Sequence, residues 1–272
     1  MQYRAAIFDI DGTLVHKGEK APSAALQNAI MRLQAQGVTV IIATGRAHFS
    51  ARAVLGDLRP DYLVATNGSY IADGDGRILF ETRLDEQQMY ALVDYCEDYE
   101  LPLEFAFADG YYIYVEHERF KANYGNYAGV CNYMMDGEDQ TRHLQDMPFG
   151  ACVQAAKADV DALCAKLPEI ALRFVPFGNG LCWDVFCQSM HKAKGLCQLL
   201  NRLGIAPAQA VAFGDGENDI EMLREMGHGV RIGEGCADLR AVSDAAVAPD
   251  GLADYLNALF AQEATAGESD AL

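Results

Sequence analysis

Positive charge is scarce in this chain: 21 Lys and Arg stand against 39 Asp and Glu, a formal net charge of −18 over 272 residues. Binding to nucleic acid rests on neutralising backbone phosphates, which such a surplus of carboxylates opposes. The same field repels phosphorylated small molecules unless a cation and a few placed Lys or Arg side chains reverse it locally. Paired cysteine motifs are also missing. Cys96, Cys131, Cys152, Cys164, Cys182, Cys187, Cys197 and Cys236 include no CxxC pair, and most sit in apolar runs. That reads as buried free thiols in a reducing compartment. No apolar run reaches the about 18 residues that would span a bilayer. The opening MQYRAAIFDIDG turns acidic too early for a secretory leader. A cytoplasmic protein with neither a membrane nor a nucleic-acid partner is expected. No internal repeat is visible.

Hydrophobic residues, by contrast, make up 51% of the chain, which permits a large core and argues against global disorder. The length suits one α/β unit carrying a sizeable insertion. YRAAIF (3–8), VTVIIAT (38–44), DYLVAT (61–66) and AVAFGD (210–215) read as buried parallel strands. Leu26, Ala29, Ile30 and Leu33 recur at helical spacing between the first two, and Gly37 closes that helix. Strands alternating with helices imply a doubly wound α/β sheet. YIADGDGRILFE (70–81) reads as a hairpin around a DG-rich turn. The pattern then changes to helices mixed with aromatic strands such as YYIYV and LCWDV. The expected division is a core of residues 1–81 and 186–272, with an α+β insert over 82–185. The core resumes with a helix bearing Leu196, Leu199, Leu200 and Leu203, short strands near 228–232 and 245–248, and a final helix.

Four segments carry chemistry, each at a strand's carboxyl end or a helix start, where open α/β sheets bind ligands. In FDIDGTL (8–14), Asp9 and Asp11 lie two apart. Extended backbone would point both carboxylates the same way. Like charges so close call for a hard cation such as magnesium, or for protonation of one of them. The bland alternative is an acidic strand end followed by a DG turn. In ATGRA (43–47), Thr44 and the Gly45 N–H are neutral donors for a phosphoryl oxygen, and the Arg46 fork could reach the substrate body; otherwise Thr44 caps a helix and Arg46 is solvated. In HKAKGL (191–196), Lys192 precedes Leu196 by four residues and continues the buried face, whereas Lys194 projects away. A core-facing Lys needs an anion, unless it snorkels out of the first turn. In FGDGENDIEML (213–223), Asp215 follows a buried strand, and Glu217, Asn218 and Asp219 open a helix. Acidic residues suit a helix N-terminus, but three acids and an Asn exceed what capping needs.

FDIDGTL, TGR, a helix-opening Lys and GDGEND, in that order, resemble the haloacid-dehalogenase superfamily of phosphohydrolases. The insert lies between the second and third segments, as in its Cof-type (subfamily IIB) branch with a C2 cap. The resemblance implies that Asp9 attacks phosphorus and that Asp11 protonates the leaving alcohol and later activates water. It implies Mg2+ held by the Asp9 carboxylate, the Asp11 backbone carbonyl and Asp215, with Asp219 in support. Thr44, Gly45, Lys192, Asn218 and the Ile10 N–H match the family's phosphate cradle. Many relatives place Gly directly after the motif Lys, which would select Lys194; the leucine spacing selects Lys192. An Asp at position 11 favours ester hydrolysis over the ion pumps and P–C hydrolases of the superfamily, which carry Thr or Ala there. The implied activity is a Mg-dependent phosphatase acting on small phosphorylated metabolites. A phosphomutase of the phosphomannomutase type and a non-catalytic sugar-phosphate binder are the alternatives. The insert is the expected specificity element, with Phe105, Tyr112, Tyr114, His117 and Tyr124 either lining its pocket or packing on its own sheet.

Overall fold

The computed structural model describes residues 3–124, 130–178 and 180–269. Two sheets organise it. The strands in chain order are β1 (Ala5–Phe8), β2 (Thr39–Ala43), β3 (Tyr62–Ala65), β4 (Tyr70–Asp73), β5 (Ile78–Glu81), β6 (Leu103–Ala106), β7 (Tyr111–Val115), β8 (Met134–Asp136), β9 (Gly150–Gln154), β10 (Leu172–Phe177), β11 (Cys182–Cys187), β12 (Ala210–Gly214), β13 (His228–Ile232) and β14 (Ala245–Val247). The larger sheet has the order β14-β13-β12-β1-β2-β3-β4-β5, and the smaller β10-β11-β9-β6-β7-β8.

In the larger sheet β14 through β3 run parallel, and β4 and β5 add an antiparallel hairpin at one edge. Alternation along the strands splits its residues between two apolar layers. Ala6, Phe8, Val40, Ile42, Val211 and Phe213 share one layer with Leu26, Ile30 and Leu33 of helix α1 (Ala24–Ala35). Ala5, Ile7, Ile41, Ala43, Ala210 and Ala212 share the other with Leu196, Leu199 and Leu200 from the Lys192–Leu203 helix. Both faces are therefore covered, as continuous apolar runs such as VTVIIAT require. The doubly wound α/β class expected from the sequence is observed.

The smaller sheet also has two covered faces. On one, Phe105, Phe107, Tyr114, Val153 and Val185 pack with Met89, Leu92 and Val93 of the Glu86–Asp98 helix. On the other, Ala106, Tyr111, Ile113 and Cys152 meet Ala47 and Phe49 at the start of α2 (His48–Val54). Phe105 and Tyr114 thus pack within their own sheet, while Tyr124 lies on the side turned toward α2. The division expected at 185/186 falls inside β11, because the strand runs on through buried Phe186 to Cys187. None of the eight cysteines is in a disulfide; Cys96 and Cys152 are buried, Cys164 is exposed, and the rest are half-buried. Among the described residues no helix is long and apolar enough to cross a membrane.

One close approach fixes where the Lys192–Leu203 helix begins. A Cβ on Gly195 would stand 2.9 Å from the Gly68 Cα and 3.1 Å from the Val64 Cγ1. A methyl group there forces the helix off the β3 turn, at about 1–3 kcal/mol for overpacking, against at most about 1 kcal/mol regained in helix propensity. Gly195→Ala should therefore lower the urea midpoint with the slope unchanged. A midpoint at or above wild type would contradict this packing.

Candidate active site

The four chemical segments meet beyond the carboxyl ends of β1, β2 and β12. After β1 the chain turns at once: Leu14 and Val15 N–H both donate to the Ile10 carbonyl, at 2.9 and 2.8 Å. Gly12 sits at φ +88°, and a Cβ there would lie 2.0 Å from Asp215 Oδ2. Only glycine admits this turn, in both conformation and space. The turn also separates the two acids. Extended backbone would have aimed Asp9 and Asp11 together, but they diverge, because β1 ends at Phe8.

Asp9 is buried and accepts a hydrogen bond from Lys192 Nζ at 2.6 Å. The same ammonium donates to Asp219 Oδ1 at 2.7 Å. Lys192 has 0% exposure, so it does not snorkel, while Lys194 is exposed. Asp219 is fully engaged, since its Oδ2 accepts the Asp215 and Gly216 N–H groups at 3.0 Å each. Thr13 Oγ1 donates to Asp215 Oδ1 at 3.1 Å and orients that carboxylate.

Asp9, Asp215 and Asp219 each offer a carboxylate oxygen, and these lie within 4.8 Å of one another. Three carboxylates share one ammonium here, leaving two negative charges uncompensated. Burial and the neighbouring acids push Asp9 well up and Asp215 to about 7. Lys192 is pushed up as well, by its partners Asp219 and Asp9, and stays cationic, although burial opposes this. An all-oxygen set with surplus negative charge fits a hard divalent cation such as magnesium. The Asp11 carboxylate stands outside this set.

Asp11 is held instead by Arg46, whose Nε and Nη2 donate to its two oxygens at 2.6 and 2.7 Å. Such a two-pronged contact fixes a carboxylate in orientation as well as position. Arg46 Nη1 also donates to Ser50 Oγ at 3.1 Å. Arg46 is thus buried rather than solvated, and its fork, expected on the substrate body, is turned onto Asp11. Thr44 does not cap α2, whose N-cap is Ala47. Its hydroxyl accepts the Arg46 N–H at 3.1 Å, which leaves its own proton to donate elsewhere.

Two residues that sequence reasoning missed join the loops to the smaller sheet. Asn218 Nδ2 donates to Asn67 Oδ1 at 2.9 Å, and Asn67 Nδ2 donates to Asp184 Oδ2 at 2.8 Å. Asn67 is buried at φ 50°, a left-handed conformation that Asn tolerates better than most residues. An Asn-Gly directly after strand β3 was its available signal. Asp184 alternates with the inward-facing Trp183 and Val185 on β11, and its place in an aromatic strand gave no sign of a role in the site. A Cβ on Gly45 would come within 2.7 Å of Asp184 Oδ2, so the TGR loop and β11 are in close contact.

The chain matches the haloacid dehalogenase-like hydrolase family over residues 6–255. The chain belongs to that family. Among related proteins, an HMP-PP phosphatase of Escherichia coli O6:H1 is 28% identical over 249 residues, covering 88% of this chain and 87% of that protein. The 5-amino-6-(5-phospho-D-ribitylamino)uracil phosphatase YitU of Bacillus subtilis is 27% identical over 266 residues, covering 93% and 96%. The structure of the phosphatase BT1666 from Bacteroides thetaiotaomicron superposes with a TM-score of 0.80 at 22% identity, covering 94% of both chains. That of the subclass IIB sugar phosphatase BT4131 gives 0.78 at 22%, covering 94% and 98%. Membership of the haloacid dehalogenase-like hydrolases, together with relatives named as phosphatases, supports the expected Cof-type enzyme class, a hydrolase acting on phosphate monoesters.

Burial raises the Asp184 carboxyl from 3.8 to about 7, against the Asn67 hydrogen bond and Lys192, which lower it. An acid raised in the folded state binds its proton more tightly there than when unfolded. Its contribution to stability is therefore full below about pH 4 and is lost as pH rises through about 7. Asp184→Asn should flatten the melting temperature against pH across that window relative to wild type. Parallel profiles would contradict a raised Asp184.

Proposed function

We propose that the protein is a magnesium-dependent phosphatase that cleaves phosphate monoesters of small metabolites through an aspartyl-phosphate on Asp9. The observation that carries this reading is the Asp9 carboxylate at a strand's carboxyl end, beside Lys192 and two further carboxylates. A nucleophilic carboxylate needs its charge kept, and neighbouring positive charge favours that. Magnesium held by the Asp9 and Asp215 carboxylates and the Asp11 carbonyl, with Asp219 in support, supplies positive charge next to the transferring phosphoryl group.

The remaining roles fall to side chains already described. Asp9 forms a bond to phosphorus as the ester oxygen departs. Asp11 gives that oxygen a proton, and later takes one from the water that releases phosphate from Asp9. Arg46 acts as a positioning residue, because it holds both oxygens of Asp11. Lys192, the Thr44 hydroxyl, the Ile10 and Gly45 N–H groups and Asn218 surround the phosphoryl oxygens. The inserted sheet, residues 82–185 extended to the end of β11, covers the site and contacts the leaving group. Relatives named for HMP-PP, a phosphoribitylamino-uracil and sugar phosphates support a small phosphorylated metabolite as substrate. A carboxylate clamped beside the nucleophile has no use in a pure binder, which disfavours that alternative.

The test uses an alkyl phosphate and p-nitrophenyl phosphate, each with wild type and Asp11→Asn, at saturating magnesium and in excess chelator. Chelator should abolish phosphate release. Asp11→Asn should lower kcat/KM for the alkyl ester by about 10²–10⁴-fold. The loss should be much smaller for p-nitrophenolate, which departs without a proton. Equal losses for the two esters would remove Asp11 from the acid role, and full activity in chelator would remove the metal.

A further inference from the structure

The smaller sheet brings a second acidic group to the site. Glu104 on β6 pairs with Cys152 on β9, and Cys152 pairs with Asp184 on β11. Residues in register on neighbouring strands project from the same face. This row therefore shares the face that carries Ala106, Tyr111 and Ile113 against Ala47 and Phe49 of the core. The Ala47 N–H donates to the Tyr111 hydroxyl at 3.0 Å, which ties the face to the TGR loop. At the end of the row, Asp184 touches Asn67 and closes on Gly45.

Glu104 is 4% exposed, yet no described residue makes a hydrogen bond or ion pair with its carboxylate. Burial pushes its carboxyl well up, helped by Asp184 and the Cys182 thiol, and the Tyr111 and Tyr124 hydroxyls also feel its charge; none of these is a cation. A buried carboxylate without a partner is costly, and a hydroxyl group repairs only part of that cost, since it supplies a donor but no charge. The metal and Lys192 serve the phosphoryl end of a substrate. The acidic row lies on the smaller sheet, on the face turned toward the TGR loop.

We propose that Glu104 and Asp184 form a subsite for an ammonium group on the alcohol portion of the substrate, so that the preferred esters are amine-bearing phosphate monoesters. This rests on the phosphatase reading above and adds to it the class of leaving group. The two carboxylates flank Cys152 on either side and act on one another, and an ammonium on the substrate offsets that repulsion. The neighbouring rings of Tyr111 and Phe177 supply an apolar wall for the carbon skeleton.

Matched esters that differ by amine or hydroxyl test this directly: glucosamine 6-phosphate against glucose 6-phosphate, and phosphoethanolamine against 2-hydroxyethyl phosphate. p-Nitrophenyl phosphate serves as the ester that needs no such group. Wild type should favour the amine in at least one pair by about tenfold or more in kcat/KM. Glu104→Gln, nearly isosteric and relieved of a buried charge, should bring that ratio close to one. Turnover of p-nitrophenyl phosphate with no amine preference in either pair would overturn the subsite and leave the phosphatase reading standing. A preference undiminished in Glu104→Gln would overturn the role of Glu104. Failure to hydrolyse any of the esters would overturn the phosphatase reading, and the subsite with it.

Discussion

A single buried ammonium, Lys192 Nζ, 2.6 Å from Asp9 and 2.7 Å from Asp219, is the contact on which the site is assembled. It joins the end of β1 to the loop after β12 and to the first turn of a helix nearly two hundred residues further along the chain. Removing one member of such a buried group leaves the others uncompensated, typically at about 3–5 kcal/mol. The ammonium gathers more negative charge than it balances. That surplus is the physical reason the site calls for a divalent cation, in a chain whose overall charge would otherwise repel a phosphate.

The scaffold around this contact is built from close approaches that side chains would block. Gly12 lets Asp215 lie against the first loop, Gly45 lets Asp184 lie against the second, and Gly195 seats the Lys192–Leu203 helix on the turn after β3. Asn67 links these layers, bridging Asn218 of one loop and Asp184 of the smaller sheet. The chemistry and the element that covers it are thereby joined through hydrogen bonds as well as packing.

Much of the core was legible because buried parallel strands and leucine stripes leave strong periodic signals. The same stripe distinguished Lys192 from Lys194, and the side chains lie as the helix face required. Other features left no such mark. The divergence of Asp9 and Asp11 depends on where β1 stops, and a two-residue spacing does not carry that information. Arg46 was seen as a free fork because its partner, Asp11, stands 35 residues away in sequence, after the neighbouring strand. Asp184 and Glu104 sit in short strands that carried no functional signal of their own; Glu104 is buried and Asp184 half-buried on a face that also holds Ala47 and Phe120.

The central claim is that Asp9 accepts the phosphoryl group while Lys192 and a metal balance the charge. Acid quenching during turnover with magnesium, followed by mass analysis of peptides, tests it most directly. The account predicts one phosphoryl group on the peptide bearing Asp9, and neither that adduct nor turnover in Asp9→Asn. Near-normal phosphate release by Asp9→Asn, or a phosphoryl group trapped on another residue, would contradict it.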